Sequence, residues 1–140
     1  MDSDIVFDRQ IIAKLISSGY KNCLAMKRHA VLDEEIKVMT DQNGRVLEIS
    51  KEVNPSDAAG ESVGIEIFDR ELLSELFRVI DRKISIEKNV NQFYEAAFQE
   101  LINNNREIYI IDITEYFCME IDTAEDLKTA GEIFNKKYRT

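Results

Sequence analysis

Two carboxylates at segment junctions are the residues best placed to do chemistry. Asp4 stands just before an apolar run, and Asp122 lies between the apolar segment that ends at Ile121 and the helix-capping residue Thr123. In open α/β sheets, ligands bind at the carboxyl ends of strands, so acids at that edge can share a hard cation such as Mg²⁺. On spacing alone the alternative stays open, because two acids among 27 are unremarkable.

Other reactive residue types are scarce. His29 is the only histidine, which excludes a paired-histidine metal site and disfavours a Ser-His-Asp triad. We expect it to be a solvated loop residue within Lys27-Arg28-His29. The only cysteines, Cys23 and Cys118, have neither metal-ligand spacing nor a disulfide framework, and we expect both to be small buried hydrophobes in a reducing cytoplasm.

Composition and charge exclude several classes of partner. The 140 residues fit one compact domain, and the net charge of −9 disfavours binding to nucleic-acid backbones or anionic membranes. The acidic start is unlike a signal peptide, and the longest apolar runs are too short to span a bilayer. No Gly-rich phosphate-binding pattern occurs in the sequence.

Helical and strand patterns alternate along the chain. Helices are predicted to begin at Asp8, Asp69, Ser85 and Thr123, where the Thr123 helix has Asp126 in capping-box position. Strands are predicted at 22–26, 60–68, 107–113 and 116–121, and 35–50 is predicted to be a hairpin that turns at Asn43-Gly44. This pattern predicts an α/β fold in which a mixed β-sheet has flanking helices and an inserted β-hairpin.

The helix predicted after Asp8 has Ile11, Ile12, Leu15 and Ile16 at helical spacing. Three further helices carry apolar positions at helical spacing, which predicts that these positions face the core. In chain order these positions are Leu72, Leu73, Leu76, Phe77 and Ile80; then Val90, Phe93, Tyr94, Ala97, Phe98 and Leu101; then Ala124, Leu127, Ala130 and Phe134.

Four segments, in the same order, resemble the sugar-phosphate nucleotidyltransferases, and most closely their phosphocholine, inositol-phosphate and phosphonate cytidylyltransferase branch. Ser3–Asp8 (SDIVFD) resembles the family's G-D-x-x-x-(D/E) segment, and 35–51 resembles its acid-x-x-K-V…G-R-V-x-x-I-x-K stretch. Gly60–Ile65 (GESVGI) is similar to its G-E-S-x-G-I/V strand, and Glu120–Leu127 (EIDTAEDL) to its E-I-D-T-x-E-D-L end. The resemblance runs from residue 3 to about residue 134 and implies a Rossmann-like fold.

The resemblance also implies an activity. A phosphorylated sugar or alcohol attacks the α-phosphorus of a nucleoside triphosphate, with CTP favoured, and pyrophosphate leaves while Mg²⁺ offsets the developing charge. Matching the motifs residue by residue makes Asp4 and Asp122 the metal carboxylates. Lys51 is either an acceptor-phosphate ligand or a solvated hairpin end. The residues matched to acceptor binding are Glu61, Ser62, Gly64, Lys51 and Lys37.

The sequence departs from the family pattern in three places. Cys118 stands where the family often has Trp, and Ser3 stands where it usually has Gly. The family's A-A-G-x-G-[ST]-R loop, which belongs to its nucleotide-binding part, has no counterpart here. We therefore expect residues 1–140 to be a single domain that corresponds to the C-terminal half of a nucleotidyltransferase domain, inactive alone. Uncovered sheet edges predict a homo-oligomer, and the alternative function is a non-catalytic binding or assembly module.

Overall fold

A five-stranded mixed sheet forms the centre of the computed structural model, which describes residues 2–89 and 94–138. The sheet order is β4-β3-β5-β2-β6, in which β2 and β6 are parallel and the other neighbours are antiparallel. A separate two-stranded antiparallel sheet joins β1 to β7. The strands are β1 (Ile5–Phe7), β2 (Cys23–Lys27), β3 (Lys37–Thr40), β4 (Val46–Ser50), β5 (Gly60–Ile67), β6 (Tyr109–Asp112) and β7 (Cys118–Glu120).

Four α-helices and one π-helical turn complete the described residues. The helices are α1 (Gln10–Ser17), α2 (Arg70–Asp81), α3 (Glu95–Asn103) and α4 (Ala124–Tyr138), and the π-helical turn is Arg82–Ile86. The predicted mixed sheet with flanking helices and a hairpin is therefore confirmed. No helix in the described residues is long and apolar enough to cross a membrane.

Strand β2 separates two apolar cores because successive side chains of a strand point to opposite faces. Leu24 and Met26 belong to the core shared with α2 and α3. Cys23 and Ala25 belong to the second core, which includes Ile11 of α1. Burial on both faces explains why this strand is a continuous apolar run rather than an alternating one.

The predicted hairpin is correct, but its turn differs from the expected two-residue form. Among the described non-glycine residues, positive φ occurs only at Lys88 and Asn105, so Asn43 stays out of the left-handed region and Gly44 alone adopts it (φ +80°). Asp41 organises the turn, because its carboxylate accepts hydrogen bonds from the backbone N–H groups of Asn43 and Arg45.

Some of the predicted helix starts are confirmed and one is wrong. Asp69 caps α2 by accepting from the Leu72 N–H at 2.8 Å, and Thr123 and Asp126 form the expected capping box of α4. The start at Ser85 is wrong, because Ser85 lies in the π-helical turn and its hydroxyl donates to Asp81, four residues back.

Several predicted core positions of the helices are solvent-exposed. On α2, Leu72 and Leu76 are buried, whereas Leu73 and Phe77 are not. On α4, Ala130 is the one predicted position that is buried; Ala124, Leu127 and Phe134 are exposed. On α3, Ala97, Phe98 and Leu101 are buried as expected, and Val90 and Phe93 lie outside the described residues.

Candidate functional site

Antiparallel pairing of β1 with β7 brings the two predicted metal carboxylates together. Ile5 lies opposite Glu120, and the Ile121 N–H donates to the Asp4 carbonyl at 2.7 Å. In an antiparallel pair, the start of one strand meets the end of the other, so Asp4 before β1 and Asp122 after β7 share an edge. This edge belongs to the two-stranded sheet and not to the parallel strands of the main sheet.

Glu120 is the third acid at this edge. One oxygen from each of Asp4, Glu120 and Asp122 can lie within 4.8 Å of the others. Partial burial, followed by the charges of Asp122 and Asp4, raises the pKa of the Glu120 carboxyl. Its two-residue spacing from Asp122 could have revealed it, because residues i and i+2 of an extended chain point the same way.

A cavity of about 640 Å³ opens beside these acids. Strands β1, β5 and β7, the loop before β3 and the residue after β4 all contribute to its walls. Of the predicted site residues, six line the cavity: Asp4, Lys51, Glu61, Ser62, Gly64 and Asp122.

The lining of this cavity is strongly acidic. Lys27 and Lys51 are its two basic residues, against eight acidic ones. The Lys27 ammonium donates to the Cys118 carbonyl at 2.5 Å, and the Lys51 ammonium lies 3.6 Å from a Glu34 carboxylate oxygen. A phosphate therefore enters a negative field and needs cations to hold it there.

Lys37, the seventh predicted site residue, lies elsewhere. Its side chain is buried, and the ammonium donates to the carbonyls of Leu32, Asp33 and Glu35 at 3.4, 2.9 and 3.3 Å. A buried ammonium requires such partners, and here they fix the loop that supplies Glu34 and Glu35 to the cavity. The structure gives Lys37 a positioning role for that loop.

His29 is an exposed loop residue, as the sequence suggests, but both of its ring nitrogens have polar neighbours. Its Nε2 lies 2.8 Å from Glu61 Oε2 and 4.0 Å from Glu35 Oε2, and its Nδ1 lies 3.1 Å from the Ala30 carbonyl oxygen. The hydrogen bond to Glu61 is the main cause that raises the His29 pKa. The histidine therefore contacts a predicted acceptor residue that is 32 positions away.

Ser62 and Gly64 form the part of β5 that faces the cavity. Ser62 is buried, and its N–H donates to the Ile36 carbonyl at 2.9 Å. Gly64 has φ +70°, and a Cβ there would overlap the Asp2 carboxylate. The Asp2 N–H donates to the Gly64 carbonyl at 2.9 Å, so glycine permits this close approach.

An acidic cluster that could not be found from the sequence lies at one wall of the cavity, which Asp2, Tyr94 and Glu95 line. The Tyr94 hydroxyl donates to Asp2 at 2.8 Å and lies 3.3 Å from Glu66. Glu95 is 6% exposed, and its Oε2 has no hydrogen-bond partner among the described residues. Burial is the main cause that raises the pKa values of Glu66, Tyr94 and Glu95. No local pattern marks this cluster, because it joins segments that are remote in sequence.

Replacing Glu95 with glutamine is expected to stabilise the protein at neutral pH. Because burial raises the folded-state pKa above the unfolded value, the folded protein holds the proton more tightly and loses stability as pH rises through this interval. The Glu95→Gln protein lacks this loss, so its advantage is about 1–2 kcal/mol at pH 7.5 and vanishes near pH 4. Urea unfolding of both proteins at both pH values measures the difference in stability. A Glu95→Gln protein less stable than the parent at pH 7.5 would contradict the prediction.

Cys118 occupies the wall position where the family often has an aromatic ring. It is buried, lines the cavity and is a free thiol, and burial raises its pKa. Cys23 is likewise buried and free, so both cysteines are the small buried residues that the sequence predicts.

Comparison with solved structures identifies the fold. The inositol-1-phosphate CTP transferase from T. maritima superposes with a TM-score of 0.69 at 17% identity, over 96% of this chain and 54% of that one. CTP:phosphocholine cytidylyltransferase from Streptococcus pneumoniae superposes with a TM-score of 0.68 at 12% identity, over 94% of this chain and 54% of that one. A CMP-2-keto-3-deoxy-manno-octonic acid synthetase superposes with a TM-score of 0.63 at 14% identity, over 98% of this chain and 64% of that one.

The resemblance stated from sequence is thus supported by the fold. The chain has the Rossmann-like nucleotidyltransferase fold and spans about half the length of the first structures it matches. At these identities the likeness shows the fold alone. No protein-family model matches the chain, and no curated protein sequence matches it.

Proposed function

We propose that this chain forms the metal- and acceptor-binding part of a nucleotidyltransferase site. The reaction is transfer of a nucleoside monophosphate from a nucleoside triphosphate, with CTP favoured, to a phosphorylated sugar or alcohol. The observation that carries the proposal is the convergence of Asp4 and Asp122 beside a cavity lined by Glu61, Ser62 and Gly64. These residues belong to three of the four segments that resemble the family.

Asp4 and Asp122, with Glu120 as a third ligand, are proposed to hold Mg²⁺. The donor set fits this ion, because Mg²⁺ prefers oxygen ligands and three carboxylates can each place an oxygen within 4.8 Å of the others. Bound there, Mg²⁺ supplies positive charge that neutralises the phosphates and the leaving pyrophosphate.

The remaining residues are proposed to bind and orient the acceptor. Lys51 offers an ammonium at the cavity wall for the acceptor phosphate, and Glu61 offers a carboxylate that accepts hydrogen bonds from acceptor hydroxyls. Ser62 and Gly64 shape the wall beside it, since the positive φ and missing Cβ at Gly64 let β5 lie against Asp2. Orienting the acceptor in this way lowers the entropic cost of reaction.

Metal binding tests the carboxylate assignment directly. With Mn²⁺ as a paramagnetic probe for Mg²⁺, Asp4→Asn and Asp122→Asn are each expected to weaken binding about tenfold or more, because each removes a charged ligand. Electron paramagnetic resonance of free Mn²⁺ measures the affinity. Asp57→Asn, in the exposed loop before β5, is the matched control and should leave it unchanged. Equal effects of all three substitutions would contradict the assignment.

We also propose that this chain alone does not turn over a nucleotide, since its sequence lacks the family's Gly-rich nucleotide loop. Titration calorimetry with CTP or UTP plus Mg²⁺ is expected to show no micromolar binding. Micromolar affinity would reject this part of the proposal. An in-frame or adjacent A-A-G-x-G-[ST]-R segment upstream in the genome favours a catalytic assembly, and its absence favours a module without chemistry.

A homo-oligomer and a cytoplasmic location complete the proposal. Phe77 is 61% exposed and Leu127 is 62% exposed, and large apolar side chains at a surface favour association. Free buried thiols at Cys23 and Cys118 are typical of a reducing compartment. Light scattering at high concentration tests the oligomer, which a monomer would rule out.

A further inference from the structure

One side-chain cluster at the rim of the cavity has metal-ligand chemistry that differs from that of the three acids. His29, Glu35 and Glu61 can place one imidazole nitrogen and two carboxylate oxygens within 4.8 Å of one another. His29 and Glu35 both lie in the loop between β2 and β3, and Glu61 is the second residue of β5. The cluster thus joins the β2–β3 loop to β5.

The imidazole is held with both ring nitrogens against oxygen atoms. Nδ1 lies 3.1 Å from the Ala30 carbonyl oxygen, and Nε2 lies 2.8 Å from a Glu61 oxygen. Oxygen atoms therefore face both ring nitrogens. A neutral ring that donates its Nδ1–H to the carbonyl presents the Nε2 lone pair to the carboxylates, where a metal ion can bind; without a metal, a proton on Nε2 makes the hydrogen bond to Glu61. Histidines that bind metals commonly donate their other ring N–H to such a carbonyl.

The loop that carries the ligands is already fixed. The Arg28 N–H donates to the Thr114 hydroxyl at 2.8 Å, and the Arg28 guanidinium pairs with Asp112 at 2.7 Å, directly before His29. The Glu35 carboxylate accepts from the Leu32 N–H at 2.8 Å, while the Lys37 ammonium binds three carbonyls of the same loop. Ligands held in advance lose little entropy when a metal binds.

We propose that His29, Glu35 and Glu61 form a binding site for a first-row divalent transition-metal ion of the Zn²⁺ class, with solvent completing the coordination. The donor set distinguishes the site from that of Asp4, Glu120 and Asp122, because imidazole nitrogen suits Zn²⁺ whereas Mg²⁺ requires oxygen. Two ligands of one Zn²⁺ lie roughly 3.0–3.4 Å apart, and the distances from Nε2 to Glu61 and Glu35, 2.8 and 4.0 Å, lie on either side of this range.

A metal here also affects the cavity. Glu61 lines it and is the acceptor residue in the proposed function. An ion that coordinates Glu61 engages one of its oxygens and places positive charge at the rim, so the bound ion changes the recognition of any acceptor. The metal site itself does not depend on the proposed function, because it can be measured without nucleotide or acceptor.

Zn²⁺ calorimetry and the visible spectrum of Co²⁺ test the site on the full chain. One Zn²⁺ is expected to bind per chain, and His29→Ala should weaken binding about tenfold or more through loss of the nitrogen ligand. His29 lies on an exposed loop, so circular dichroism should show an unchanged fold. Asp122→Asn should keep full Zn²⁺ affinity, which separates this site from the proposed Mg²⁺ site.

Cys118 is a thiol that lines the cavity and could bind Zn²⁺ in place of the proposed ligands. Cys118→Ser should therefore retain Zn²⁺ binding, and the Co²⁺ spectrum should lack a thiolate charge-transfer band. Absence of saturable Zn²⁺ binding, equal affinity in His29→Ala, or loss of binding in Cys118→Ser would overturn the proposal.

Discussion

Replacing Phe98 with alanine is expected to lower the free energy of unfolding by about 3–5 kcal/mol, because it empties a large volume in a close-packed core. Phe98 is 2% exposed and packs edge-to-face on Phe68 and Tyr94, each with ring centroids 5.1 Å away. Through Tyr94 this packing also supports the cavity wall, where the Tyr94 hydroxyl donates a hydrogen bond to Asp2. Urea unfolding measures the loss.

Phe77→Ala is the matched control for this prediction. Both phenylalanines were expected to face the core, yet Phe77 on α2 is 61% exposed. Its truncation should change the free energy of unfolding by no more than about 0.5 kcal/mol at low protein concentration. Equal losses in the two variants would contradict the burial described here. Light scattering of Phe77→Ala also reports whether this side chain contributes to an oligomer interface.

Gly60→Ala is expected to destabilise the protein by about 2–3 kcal/mol, although it adds one methyl group. Gly60 begins β5, and a Cβ there would overlap the Lys27 carbonyl oxygen and lie 3.1 Å from the buried Met26 side chain. Backbone cannot move aside as a flexible side chain can, so β2 and β5 must separate. Because β5 carries Glu61, Ser62 and Gly64, the separation of β2 from β5 should also weaken the binding of any ligand in the cavity.

Gly131 supplies the matched glycine for this comparison. It lies within α4, and a Cβ there meets nothing within 4 Å. Gly131→Ala should therefore stabilise the protein by about 0.5–1 kcal/mol, because alanine loses less entropy in a helix. Thermal or urea unfolding of both variants measures the contrast, and a Gly60→Ala protein as stable as the parent would refute the proposed steric conflict.

Features determined by neighbouring residues could be predicted from sequence. The Asp69 cap, the Thr123–Asp126 capping box and the Asp41–Gly44 turn each depend on groups within four residues of one another. The alternation of Val63, Ile65 and Ile67 likewise marks β5 without reference to the rest of the fold.

The burial of the helix faces could not be predicted from neighbouring residues in this way. A helical stripe is a property of one segment, but its burial depends on what packs against it. On α2 the sheet and α3 bury Leu72 and Leu76, while the neighbouring Leu73 and Phe77 extend past that contact. The sequence of α2 alone contains no signal for the width of the surface that covers it.

In the candidate site, too, some features follow from the sequence and others depend on the fold. Matching motifs selected seven residues, of which Lys37 lies outside the cavity. The other six line it: Asp4, Asp122, Glu61, Ser62, Gly64 and Lys51.

The sequence by itself therefore determined the types of residue available and the segments that carry them. The tertiary structure alone decided that Lys37 is buried within its loop, that Glu120 lies beside Asp4 and that His29 contacts Glu61. The physical reason is that Glu120 and Asp4, like His29 and Glu61, lie far apart in the chain, and that the burial of Lys37 depends on what packs around its loop. Their side-chain neighbours follow from strand pairing and register, which local propensity does not specify.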